Sequence, residues 1–161
     1  MERIFNDYFL LKKIFVNMQI IDIINLYESD IIEKSSILSY ISTIKDSTHN
    51  VILNNENVSD NFIYNFLDIC CININMLIDN RLKFNKNLSC NIIDKYINIY
   101  NNIEYINWNN ISMLKLTYEF IKKYKNELNW NIICKYKINL NDQIINDNND
   151  FINWYYIKNT F

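Results

Sequence analysis

The residues able to do chemistry in this chain are few, and their spacing does not bring them together. A single histidine, His49, stands in the polar stretch DSTHNVILNNEN at residues 46–57, which reads as a solvated connector. Ser–His or Cys–His catalysis needs an imidazole held against its nucleophile, and nothing in that local pattern supplies the hold. The four cysteines, Cys70, Cys71, Cys90 and Cys134, show no CxxC or paired spacing, so a zinc site of about four Cys/His ligands is not expected. Cys70 and Cys71 lie inside FLDICCINI as small hydrophobes, a use that fits a reducing compartment. Carboxylates are scattered, with Asp22, Glu28, Asp30 and Glu33 early and Asp142, Asp147 and Asp150 late, and they form neither an HExxH nor an EF-hand run. The late acidic group reads as a solvated loop. Walker loops, dinucleotide fingerprints and nucleophile elbows all need glycine for close backbone approach or special dihedrals, and this chain has none. The sequence therefore predicts a protein that is not an enzyme, with no catalytic, cofactor-binding or metal-binding residue.

Composition explains part of this poverty. Glycine, proline and alanine are all absent, arginine occurs only as Arg3 and Arg81, and 31 Asn and 32 Ile are present among 161 residues. The missing types have GC-rich codons and the abundant ones AT-rich codons, which points to an AT-rich genome such as those of some large DNA viruses, parasites and organelles. Asparagine abundance is discounted accordingly, as are the N-x-S sequons at Asn57, Asn87 and Asn110. Formal charge is −2 with lysines and acids interspersed, so no basic face argues for a nucleic-acid partner. No apolar run reaches the ~18 residues of a membrane span, and Lys12 and Lys13 break the N-terminal run MERIFNDYFLLKKIF, so neither membrane nor secretion is expected. The predicted address is cytoplasmic, including the cytoplasm of an infected host. A chain of this length fits one domain and can bury roughly 70% of its unfolded surface.

Positioning falls to helices. Three Asn-Trp pairs, at Asn107-Trp108, Asn129-Trp130 and Asn153-Trp154, recur at spacings of 22 and 24 residues as INWNNI, LNWNII and INWYYI. The clearest unit runs from Leu116 to Lys137. Thr117 is placed to cap a helix with Phe120, Ile121 and Tyr124 on one face, and Glu119 can pair with Lys122 or Lys123. A break at Asn126 to Asn129 follows, where asparagine can take the left-handed conformation. Asn129 then caps a second helix with Trp130, Ile133 and Cys134 on one face. The same hairpin maps onto Leu140 to Ile157, onto Leu88 to Tyr96 with Asn107-Trp108, and in degenerate form onto Val58, Ser59, Phe62, Ile63 and Phe66 with Ile72-Asn73-Ile74. Such a hairpin cannot bury its own apolar face, so each tryptophan is read as a wedge against the next copy. Ahead of the repeats, Phe5, Phe9, Lys12 and Val16, or Leu10, Ile14 and Met18, follow helical spacing, and Ile31 to Ile41 suggest another helix over residues 30–44.

The line L-S/T-x-x-F/I-I followed by I/L-N-W-x-x-I resembles the short tryptophan-containing repeats of proteins from nucleocytoplasmic large DNA viruses, over about residues 57–161. That family line has Ser after the Ile, kept here as Ser112 but replaced by Cys134 and Lys158, and no Gln precedes Leu116 or Leu140. The resemblance implies a helical repeat or interaction protein and brings no activity with it. EYINWNNISMLKLTYEF is similar to the first homology motif of Bcl-2-like apoptosis inhibitors, where an Asn-Trp-Gly-Arg stretch starts the central helix and the Arg holds an acidic residue of a death-promoting peptide. Asn107 and Trp108 match that motif, while Asn109 and Asn110 stand in the Gly and Arg places.

These readings predict an all-α fold, a repeat or solenoid-like stack of short helical hairpins over residues 57–161 with an N-terminal helical section over 1–50. The repeat core is Trp108, Ile111, Leu116, Phe120, Ile121, Trp130, Ile133, Leu140, Ile145, Trp154 and Ile157. Trp154, Tyr155 and Tyr156 form the candidate partner surface, with self-association through residues 150–161 as one use of it. The tyrosines at 96, 100, 105, 118, 124 and 136 add area with a polar tip, which favours partner binding, although AT-rich coding supplies tyrosine as well. The expected function is a viral protein-interaction module with a protein partner. The alternatives are a Bcl-2-like inhibitor that takes an amphipathic helix in a groove, and a structural virion component.

Overall fold

A computed structural model describes residues 8–44, 46–55, 57–70, 72–101, 103–136 and 139–158, and among these the side chains at 8, 9, 46–48 and 50 lie outside the description. The described residues form twelve α-helices and two short 3-10 turns, with no strand, so the fold is all-α. The chain divides into two compact units, Met1–Asn73 and Ile74–Phe161. The division falls between Asn73 and Ile74, within the stretch Ile72-Asn73-Ile74 that the sequence aligned with the Asn-Trp pairs, and not at the polar stretch 46–57.

The first unit holds α1 (Tyr8–Phe15), α2 (Ile20–Glu28), α3 (Lys34–Ser42), α4 (Asp46–Leu53) and α5 (Asp60–Phe66). Sequence periodicity misplaces the inward face of α1. Leu11 and Phe15 are buried, whereas Leu10, Ile14 and Val16 are exposed. Adjacent doublets, Leu10-Leu11 and Ile14-Phe15, give two apolar stripes one residue apart, and the stripe carrying the larger ring turns inward to meet Tyr40 at 5.0 Å between centroids. Phe5 lies outside the described residues, and so does the side chain of Phe9. Tyr27 and Phe62 meet edge to face at 5.0 Å, Phe62 stacks on Phe66 at 5.5 Å, and Asn65 Nδ2 donates to the Tyr27 hydroxyl at 2.8 Å.

The predicted connector is also wrong in part, because residues 46–53 are helical with Ile52 and Leu53 buried. His49 shares that inward face at i, i+3 and i+4 spacing, and is only 7% exposed. Its Nε2 lies 3.2 Å from the Ile41 carbonyl and 3.7 Å from Cys70 Sγ, and its ring meets Phe66 edge to face. A polar sequence context concealed an amphipathic turn.

The second unit holds α6 (Ile74–Lys83), α7 (Cys90–Tyr100), α8 (Trp108–Ile111), α9 (Tyr118–Tyr124), α10 (Trp130–Tyr136), α11 (Asp142–Asp147) and α12 (Trp154–Lys158), with 3-10 turns at Ile103–Tyr105 and Asn149–Phe151. Without proline or glycine to punctuate it, the chain starts several of its helices with polar caps. Ser59, Ser89, Thr117 and Asn141 each follow an aliphatic residue, Val58, Leu88, Leu116 or Leu140. Each accepts a backbone N–H of its own helix, from Phe62, Asn91, Phe120 and Ile144 respectively. Asn107 and Asn129 cap the tryptophan-bearing helices α8 and α10 in the same way. The break between α9 and α10 holds no left-handed residue. Among the described residues that conformation occurs at Asp30, Asn85 and Asn101, Asp and Asn taking the place glycine usually fills.

Candidate interaction surface

Two successive tryptophans in the second unit share the acceptors of their neighbouring polar groups at equivalent positions, while their aromatic partners differ in position. The Trp108 indole N–H donates to the Ile103 carbonyl at 3.2 Å, and that of Trp130 to the Lys125 carbonyl at 2.7 Å, in both cases five residues back. Each ring then meets an aromatic side chain later in the chain, Tyr124 of α9 at 5.3 Å and Phe151 of the second 3-10 turn at 5.4 Å. The next Asn closes the junction twice. Asn129 donates its backbone N–H to Ser112 Oγ at 2.8 Å and its side-chain amide to Asn109 Oδ1 at 2.7 Å. Asn153 donates likewise to Cys134 Sγ at 3.3 Å and Asn131 Oδ1 at 2.6 Å. Ser112 and Cys134 both stand four residues after their tryptophan, and Asn109 and Asn131 both stand one residue after it. Upstream, the Asn107 N–H goes to Asn75 Oδ1 at 2.8 Å, and the Asn110 amide to Asp79.

Cys134 is fully buried, and that burial pushes its thiol above the ordinary value of 9.0 while the Asn153 N–H opposes the shift. Its Sγ serves as the acceptor of the Asn153 N–H. A second asparagine device holds the linker ahead of α9. Buried Asn139 accepts the Leu116 N–H at 2.7 Å and donates to the Leu114 carbonyl at 2.8 Å. Asn87 accepts from and donates to the backbone of Lys115 at 2.8 and 3.1 Å. None of these asparagine roles was legible when asparagine was discounted as coding bias. Their signal is positional, a fixed offset from each tryptophan or from the leucine that opens a copy.

Ile111, Leu116, Phe120, Ile121, Trp130 and Ile133 are buried, while Trp108, Leu140, Ile145 and Ile157 are half-buried. In α11 the inward residue of the Ile144-Ile145 pair is Ile144. Trp154 is 41% exposed and Tyr155 70% exposed, and Tyr156 is half-buried with its ring edge-on to Tyr155. The positions that accept at the earlier junctions hold Tyr155 and Lys158 here.

Other polar clusters serve the fold. Asp94 accepts from the Tyr124 hydroxyl at 2.7 Å and pairs with Lys123 at 2.9 Å, so Lys123 reaches α7 instead of Glu119. Burial, then the Asp94 carboxylate, raises Tyr124 above its ordinary value of 10.0, and the same carboxylate raises Lys123. A cleft of about 500 Å3 beside this pair is lined by Cys90, Asn91, Thr117, Glu119 and Lys122 among others, a mixed-charge wall rather than an apolar groove. Asp147 of the late acidic group accepts from the Tyr118 hydroxyl at 2.6 Å. Among the described residues no three His, Cys, Asp or Glu side chains are grouped to hold a metal ion, and no helix is long and apolar enough to cross a membrane. No protein-family model, curated protein or solved structure matches the chain.

Proposed function

We propose that this chain is a non-enzymatic helical-repeat module that binds another protein through the face carrying Trp154 and Tyr155, and that it works in the cytoplasm of a virus-infected cell. One observation carries the reading. The Trp108 and Trp130 rings pack against Tyr124 and Phe151, whereas among the described residues Trp154 and its neighbour Tyr155 stand exposed. Large aromatic side chains with polar tips are the residues that dominate protein interfaces. The capped, interlocked helices behind them would hold the surface rigid and lower the ordering cost of binding.

The Bcl-2-like alternative draws no support from the residue that would have to carry it. Asn110 stands where that family has its arginine, and its amide binds Asp79. The test is affinity purification from cells of the native host with three baits: the wild-type chain, a Trp154→Ala/Tyr155→Ala variant, and Trp130→Ala as a misfolded control. A partner held by wild type and lost from the folded double variant supports the module. Partners held equally by wild type and the double variant refute it. Tight binding of an isolated death-motif peptide would transfer the function to the groove class, and recovery of virion proteins alone would make the chain a structural component.

A further inference from the structure

We draw no further inference here: the strongest candidate, the exposed apolar patch of the first unit formed by Leu10 and Ile14 on α1 and Val16 just after it, carries nothing because nothing in the structure shows what covers it.

Discussion

Replacing Trp130 and Trp154 by alanine, one at a time, tests whether a tryptophan inside a junction does a different job from one on the open face. Trp130 is 7% exposed, its ring lies 5.4 Å from that of Phe151, and its N–H reaches the Lys125 carbonyl at 2.7 Å. A tryptophan side chain carries up to ~250 Å2. Removing nearly all of that from water at ~25 cal/mol/Å2 gives an upper bound of about 6 kcal/mol. Measured truncations of buried tryptophan, which include the cavity left behind, cost about 3–5 kcal/mol. Trp154, at 41% exposed, should cost about 1–2 kcal/mol on truncation. Against a total of ~5–15 kcal/mol for a typical domain, the first change is close to unfolding and the second is tolerable. Urea denaturation followed by far-UV circular dichroism measures both. The wedge argument is refuted if the two losses agree within about 0.5 kcal/mol, or if Trp154→Ala is the worse variant.

Asn139→Ala should cost about 2–4 kcal/mol, because it strands the Leu116 N–H and the Leu114 carbonyl, and denaturation midpoints at unchanged slope would report it. Cys134→Ser places the Ser112 chemistry at the equivalent position and should lie within about 1 kcal/mol of wild type. Cys134→Val orphans the Asn153 N–H and should cost about 1–3 kcal/mol, with amide exchange of Asn153 as the local readout. Tyr124 has a folded-state value raised above 10.0, so the folded protein keeps this proton longer than the unfolded chain. Its contribution is therefore complete below pH 10 and is lost as pH rises through the folded value. Tyr124→Phe should flatten the decline of melting temperature above pH 10, and an unchanged slope would remove Asp94 and burial as its cause.

The all-helical class and the polar caps at Thr117 and Asn129 were legible in the chain itself, because they follow from local rules. Apolar spacing of three and four residues is written in one dimension, and so is a Ser, Thr or Asn immediately before it. Hence Thr117 and Asn129 cap helices in the places their sequence context predicts. The tertiary structure decided what local rules leave degenerate. Adjacent apolar doublets allow two inward faces, and only packing against Tyr40 chose Leu11 and Phe15 over Leu10 and Ile14. His49 sits among polar neighbours in sequence and among Ile41, Phe66 and Cys70 in space. Asparagine is the sharpest case. Coding bias accounts for its number, but a hydrogen bond between Asn129 and Asn109, or between Asn139 and the backbone of Leu114 and Leu116, exists only once residues 20 or more apart are brought together. Composition counts residues, while folding assigns each one a partner, and partners at such separations are fixed by the burial of the whole unit rather than by any segment of it.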